Sequence, residues 1–129
     1  MPDYIDGFVF PISRDRIDEY KRVAQAVAAI YKEHGANDYC EFIGDDMARE
    51  GTRSFLDLLP VTEDEAVVFG WVVFDSRETR DLVNKKVEAD PRMVDLIAPL
   101  VEPSAMVFDA SRMAYGGFRA LVGRDTEAR

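Results

Sequence analysis

Three side chains have proton-transfer chemistry and lie within predicted elements: Asp6, His34 and Glu41. His34 is the only histidine, and an imidazole titrates near neutral pH, as a general base requires. Asp38 or Glu41 would orient it. In the structural alternative, His34 ends a helix, where it interacts favourably with the negative end of the helix dipole. We favour this alternative, because a catalytic site needs several convergent groups.

Asp6 and Glu41 are carboxylates inside strand patterns that are otherwise largely apolar. A buried charge is costly unless it is paired. If the two residues share a sheet face, they would form a proton-sharing pair or hold a ligand cation. The alternative is a salt bridge to Arg112 or Arg119, across the sheet or across a dimer interface. We favour the salt bridge, because buried charged residues are usually paired.

Aromatic residues supply the candidate ligand-binding surface. Trp71, Tyr115 and Phe118 lie on strands that are predicted to border the open side of the sheet. There they would form a wall for a flat apolar ligand, with Arg112 as a further binding residue. In the alternative, the aromatic residues form the core of a dimer interface. The Gly116-Gly117 pair, in the middle of the last strand, indicates a bulge, a close backbone approach or space for a ligand.

The sequence contains no recognisable motif for a metal or a cofactor. One histidine and one cysteine, without HxxE, HxH or CxxC spacing, do not favour zinc, iron or haem. The phosphate-binding GxGxxG and GxxxxGK[ST] motifs and the GxSxG nucleophile motif are also absent from the sequence. Cys40 is predicted to be an inert thiol. We therefore expect no cofactor and no metal.

The predicted elements follow the order strand, helix, strand, strand, helix, strand. Apolar residues at helical spacing follow Ser13, the predicted N-cap, and end at Gly35, the predicted C-terminal glycine cap. Ala66–Phe74 is apolar on both faces and is predicted to be a central strand, followed by a helix capped by Ser76. The other predicted elements are strands Tyr4–Pro11, Ala36–Asp46 and Arg112–Val122, and a short helix that begins at Asp90-Pro91.

This order predicts a ferredoxin-like α+β fold with a four-stranded antiparallel sheet. We expect a single domain over residues 1–123 and a frayed tail over residues 124–129. The long connection from Met47 to Asp64 is predicted to contain a short helical turn or an extra strand. Two helices cover only one face of such a sheet. The other apolar face would then be buried in a two-fold homodimer.

The composition of the chain limits the classes of partner and the location that we expect. The 16 Lys and Arg residues against 25 Asp and Glu residues give a net charge of −9. This charge opposes binding to nucleic acid and to anionic membranes. No apolar run approaches the roughly 20 residues that span a bilayer. With a single cysteine in the chain, we expect a cytoplasmic protein.

Several segments resemble one family of small bacterial proteins. They are YIDGFVFPI (residues 4–12), EHGA (33–36), VVFGWVVFDSRETRD (67–81), VNKKVEADPRM (83–93) and RMAYGGF (112–118). In these segments the chain resembles the YbaA-like family, domain of unknown function 1428. The family resembles a branch of the dimeric α+β barrel superfamily. The resemblance implies the fold and the dimer, and it implies no catalytic residue.

These observations predict a homodimeric protein that binds a small apolar or aromatic molecule. The cleft would lie between sheet and helices or at the mouth of the dimeric barrel. One alternative is a cofactor-independent monooxygenase or isomerase-like enzyme, in which a carboxylate or His34 takes a proton. Another is a structural or regulatory dimer without a ligand. The residues expected near the cleft are Asp6, His34, Glu41, Trp71 and Tyr115.

Overall fold

The computed structural model describes residues 4–123, whose elements follow the predicted order. They are strands β1 (Tyr4–Ser13), β2 (Asp38–Ile43), β3 (Glu65–Phe74) and β4 (Ala114–Arg119), and helices α1 (Ile17–Glu33), α2 (Arg77–Ala89) and α3 (Pro91–Ile97). The sheet order is β2-β3-β1-β4, and every neighbouring pair is antiparallel. The predicted ferredoxin-like α+β fold is thus confirmed. The predicted tail at residues 124–129 lies outside the described residues.

The strand bounds differ from the predicted ones. β1 continues through Pro11 to Ser13. Val67 is the residue of β3 that pairs with Pro11. The Gly44 amide donates to the Val67 carbonyl at 2.7 Å, so the backbone groups of Val67 point toward β2. The Pro11 nitrogen therefore faces the other side of β1, beyond its last pair with β4, where no donor is required. β2 and β4 are shorter than predicted, because turns occupy their expected ends.

The helix ends follow their capping residues in all but one case. The Ser76 side chain accepts a hydrogen bond from the Thr79 amide, and the Asp90 side chain accepts one from the Arg92 amide. Gly35, at φ 120°, ends α1 as predicted. The prediction for Ser13 is wrong. Its side chain makes no capping bond, and a 3-10 turn separates it from α1.

The helices pack on one face of the sheet, which we call the helix face. Within the described residues, the largest fully buried side chains are Phe10, Ile12, Phe74, Val83 and Leu100. Burial of five such side chains contributes roughly 1.5–3 kcal/mol each. No helix in this part of the chain is long and apolar enough to cross a bilayer.

The opposite face, which we call the open face, carries aromatic side chains. The Phe42 and Trp71 rings stack at 5.3 Å, and the Trp71 ring meets the Phe69 ring edge at 5.9 Å. Phe42 and Phe118 remain 58% and 57% exposed. The connection from Met47 to Asp64 reaches this face through a 3-10 turn, from which Phe55 contacts Phe69 at 5.4 Å. The predicted short helical turn is therefore present.

Candidate functional site

A cavity of about 460 Å³ lies between the helix face and the three helices. It is lined by side chains from all four strands and all three helices. Its aromatic walls are formed by Phe8, Phe10, Tyr20, Tyr31, Tyr39 and Phe108. Three carboxylates, those of Asp6, Glu41 and Glu88, also line it. The cavity thus combines apolar walls with a few charged groups.

Glu41 is held by two tyrosine hydroxyls. Tyr20, from α1, donates to Oε1 at 2.5 Å, and Tyr39, two residues along β2, donates to Oε2 at 2.6 Å. Burial raises the pKa of Glu41 above its usual value, although the two hydroxyl bonds favour the carboxylate. Burial, and then the charge of Glu41, raise the pKa of both tyrosines. The hydroxyls therefore stay protonated donors.

The same three residues line a second cavity of about 500 Å³ between α1 and β2. Tyr20, Glu41 and Tyr39 thus stand between the two cavities. The Glu41 carboxylate is therefore adjacent to both cavities.

Replacing Glu41 with glutamine is expected to raise the free energy of unfolding at pH 7. The folded-state pKa of Glu41 is raised, so protonation stabilises the fold below the ordinary glutamate pKa, and this contribution disappears as the pH rises through the folded-state value. A glutamine side chain does not ionise, so the variant does not lose stability in this way as the pH rises. Tyrosine hydroxyls both donate and accept, so Tyr20 and Tyr39 can bond either end of the amide.

Urea unfolding at pH 7 and at pH 4 measures this difference. The advantage of Glu41→Gln over wild type should shrink at the lower pH, where the wild-type carboxyl is protonated too. Glu50→Gln is the matched control, since Glu50 is exposed and lines neither cavity. A difference that stays constant with pH would contradict the raised pKa.

Asp6 is the second carboxylate of the helix face, and it is only 4% exposed. Its Oδ1 accepts from Arg80 Nη1 and from the Tyr115 hydroxyl, each at 2.8 Å, and its Oδ2 accepts from Asn84 Nδ2 at 3.1 Å. The Arg80 guanidinium also lies 4.9 Å from the centre of the Tyr4 ring. Burial and Asp6 raise the pKa of Tyr115 to about 12. This cluster satisfies the Asp6 charge fully.

The glycine pair predicted to mark a close approach lies beside this cluster. A side chain at Gly117 would collide with Tyr4 Oη and Arg80 Nη1, and one at Gly116 would press on the Phe118 ring. β4 therefore carries glycines because side chains from both faces lie against its backbone. Of the alternatives left open by the sequence, the close approach is the one observed.

Asn84 contributes an unusual polar atom. Its Nδ2 donates to Asp6, which fixes the orientation of the amide. Its Oδ1 is buried and has no hydrogen-bond partner among the described residues. Asn84 also lines the cavity. A buried acceptor without a partner is costly, and it marks a position where a bound donor would be favoured.

His34 lies away from the cavity. It is the C-terminal cap residue of α1, and its Nε2 lies 2.8 Å from Asp90 Oδ2. Neither Asp38 nor Glu41 orients it, so that expectation is wrong. Arg92, and then His34, lower the pKa of Asp90, which also caps α3. The geometry is that of the structural alternative, a linkage between two helix ends.

The predicted salt-bridge partners are also different. Arg112 pairs with both oxygens of Glu65 at 2.6 and 2.7 Å, and this lowers the pKa of Glu65 to about 2. Asp6 pairs with Arg80, and Glu41 pairs with no cation among residues 4–123. The expected bridges across the sheet from Arg112 or Arg119 to these carboxylates are therefore wrong, and a bridge across a dimer interface stays a prediction. Arg112 instead ties the start of β4 to the start of β3.

The three aromatic residues of the predicted ligand-binding wall lie on two different faces of the sheet. Trp71 and Phe118 lie on the open face, whereas Tyr115 lies on the helix face beside Asp6. They do not form one wall. Of the predicted site residues, Asp6, Glu41 and Tyr115 meet at the cavity. Their partners missed by the sequence reasoning are Tyr20, Tyr39, Arg80 and Asn84. One available signal was the spacing of Arg80, Asn84 and Glu88 at i, i+4 and i+8.

No group of three or more His, Cys, Asp or Glu side chains in the described part of the chain is arranged to hold a metal ion. The polar groups that line the cavity are carboxylates, tyrosine hydroxyls and the Asn84 amide. A carboxylate held by two phenols can accept a proton or pair with a cation.

Comparison with known proteins places this site in a family. Residues 3–110 match the model of the family described as "Protein of unknown function (DUF1428)". The chain belongs to this family. It is 35% identical over 119 residues to YbaA of Escherichia coli K12, covering 92% of this chain and 97% of the relative. YbaA of Shigella flexneri has the same identity and coverage. The predicted family is thus confirmed.

Solved structures support the fold. A NIPSNAP-family protein of unknown function from Agrobacterium tumefaciens has a TM-score of 0.54 at 13% identity, covering 92% of this chain and 88% of its own. A NIPSNAP domain protein from Burkholderia xenovorans has a TM-score of 0.53 at 10% identity, covering 92% and 94%. This chain therefore shares its α+β architecture with proteins of very different sequence.

Proposed function

We propose that this DUF1428 member is a homodimeric binding protein that holds a small, largely apolar or aromatic molecule between its helices and its sheet. The observation that carries the proposal is the cavity of about 460 Å³. Ligand sites typically measure roughly 300–1,000 Å³ and combine apolar walls with a few polar groups. The aromatic walls and the Glu41 carboxylate have this composition.

The open face supports the homodimer. Phe42 on β2, Phe69 on β3 and Phe118 on β4 are 58%, 40% and 57% exposed, and they lie on the same face of the sheet as Trp71. A contiguous apolar patch of this kind is rarely left in water. A two-fold axis would place the same aromatic residues of two copies against each other. The cavity lies on the other side of the sheet, so the dimer leaves it accessible.

Binding of 2-phenylethanol, a neutral aromatic probe, tests the cavity directly. We expect NMR chemical-shift changes at the methyl groups of Val27 and Val72, which line it. Ala24→Phe should weaken binding at least tenfold, because its ring would occupy a cavity-lining position. Ala29→Phe is the matched control, since Ala29 is exposed on the same helix.

The outcomes separate the alternatives. Shifts confined to the cavity, lost in Ala24→Phe and kept in Ala29→Phe, are the expected result. Shifts on the open face alone would relocate the ligand to the dimer interface and overturn the proposal. No binding of any aromatic probe would favour the structural or regulatory dimer without a ligand.

The second candidate is a cofactor-independent, isomerase-like enzyme, and the raised pKa of Glu41 favours it. A carboxylate at a cavity wall with a pKa nearer neutrality is suited to move a proton on a bound substrate. Its test is exchange of the α-protons of phenylacetone with deuterium oxide, followed by proton NMR. Wild type should accelerate the exchange and Glu41→Gln should not. Equal rates in the two proteins would exclude Glu41 as the base.

A further inference from the structure

We propose that the cavity selects a small organic cation, an amine with an apolar or aromatic body, and that the Glu41 carboxylate receives its ammonium group. This inference rests on the proposed function and specifies its ligand class. Four observations support it: the carboxylates of the lining, the lack of a cation beside Glu41, the aromatic walls, and an Asn84 oxygen that has no hydrogen-bond partner among the described residues.

The described lining of the cavity carries carboxylates and no basic side chain. Asp6, Glu41 and Glu88 belong to it, and none of its described residues is a lysine, arginine or histidine. Arg80 compensates Asp6 from outside the lining, and Glu88 is exposed, so the charge that a ligand would meet is that of the partly buried Glu41. A bound anion would be repelled by this carboxylate. A neutral ligand would leave the charge of Glu41 uncompensated. A cation is the ligand charge that the lining favours.

The two carboxylates on the helix face of the sheet, Asp6 and Glu41, have different partners. Asp6 has a guanidinium partner, Arg80, at 2.8 Å. Among residues 4–123, Glu41 accepts side-chain hydrogen bonds only from Tyr20 and Tyr39, and burial raises its pKa. The fold thus supplies an internal cation at one carboxylate and leaves that position open at the other. A bound ammonium group would form an ion pair with Glu41, as Arg80 does with Asp6.

The hydrogen-bonding capacity of Glu41 fits this occupant. A carboxylate has about four acceptor positions, and the tyrosine hydroxyls use one on each oxygen. The remaining positions can accept from an ammonium group, which carries up to three donors. Because Tyr20 and Tyr39 hold the carboxylate from two elements, it needs no reorientation on binding. The site is therefore preorganised for a donor.

Aromatic rings surround the same position. The Tyr39 ring lies 5.3 Å from the Tyr31 ring and 6.2 Å from the Phe8 ring, and all three line the cavity. Faces of aromatic rings attract cations, and they also pack against apolar groups. Asn84 Oδ1 adds a buried acceptor for a second donor group. These features recognise an amine joined to an apolar body.

Three probes of similar shape and different charge test the inference: 2-phenylethylamine, 2-phenylethanol and phenylacetate. Isothermal titration calorimetry of the full chain at pH 7 gives each dissociation constant. We expect the amine to bind at least tenfold more tightly than the alcohol, the gain typical of a hydrogen bond to a charged group. Phenylacetate should bind most weakly.

Two variants assign the selectivity to Glu41. Glu41→Gln should reduce the ratio of amine to alcohol affinity to within about threefold of unity. Glu50→Gln makes the same change in net charge at an exposed position. It should retain the tenfold ratio, which excludes general attraction to a chain of charge −9.

Each remaining outcome has a distinct meaning. Equal affinity of wild type for amine and alcohol would overturn the cation inference and leave the proposed binding function intact. A preference that persists in Glu41→Gln would also overturn it, since the selectivity would then arise elsewhere. If none of the three probes binds, the proposed function fails together with the inference.

Discussion

Replacing Arg80 with methionine is expected to destabilise the protein by about 3–5 kcal/mol, the typical effect of removing one partner of a buried ion pair. Asp6 would keep the hydroxyl of Tyr115 and the amide of Asn84 but lose its cation, at a position that is 4% exposed. Methionine preserves most of the side-chain length, so the effect reports the charge rather than a cavity.

Urea unfolding at pH 7 measures this change. Arg92→Met is the matched control, because the Arg92 side chain is 52% exposed, against 12% for Arg80, and one of its partners, Glu33, is 57% exposed. Surface pairs contribute about 0–1 kcal/mol. The double variant with Asp6→Asn should recover more than half of the loss, since it removes the unpaired charge. An Arg80→Met effect as small as that of Arg92→Met would contradict the buried pair.

Trp71→Asp is expected to convert a wild-type dimer into a monomer, raising the dissociation constant about a hundredfold or more. Trp71 lies on β3 in the middle of the open face, in contact with the rings of Phe42 and Phe69. An aspartate there would place a desolvated charge in the centre of the proposed interface. Large aromatic residues at such positions contribute most of the binding energy.

Sedimentation velocity at micromolar concentration gives the oligomeric state. Leu82→Asp is the matched control, because Leu82 is 54% exposed on α2 and lies on the other side of the sheet. It should leave the dimer intact. Circular dichroism checks that Trp71→Asp stays folded, and Phe42→Asp, at an edge strand, provides a second disruptive variant. A monomeric wild type would rule out the homodimer.

The fold could be predicted because local signals agree with one another. Ser76, Asp90 and Gly35 mark helix ends in the sequence, and the structure shows all three in those roles. Ala66–Phe74 is apolar on both faces, and it forms most of an interior strand, β3. Ser13 failed as a cap because a turn with its own geometry follows β1. Such a turn has no distinct sequence signature.

The candidate site could be predicted only in part. Asp6 and Glu41 were recognisable as charges within apolar strand patterns, and they do share the helix face. Their partners were not, because Arg80 lies 74 residues from Asp6 along the chain. Side chains alternate along a strand, so residues three apart, such as Tyr115 and Phe118, point to opposite faces. Which one meets Asp6 depends on register.

The position of β1 between β3 and β4 affects how this protein can be made. Of the four described strands, β1 is synthesised first, and both of its neighbours are synthesised later. Pairings between strands so distant along the chain slow folding. A chain that ends before Ala114 would lack β4 and the Tyr115 hydroxyl bonded to Asp6. β1 can therefore pair with β3 early, but it cannot pair with β4 until residue 119 has been synthesised.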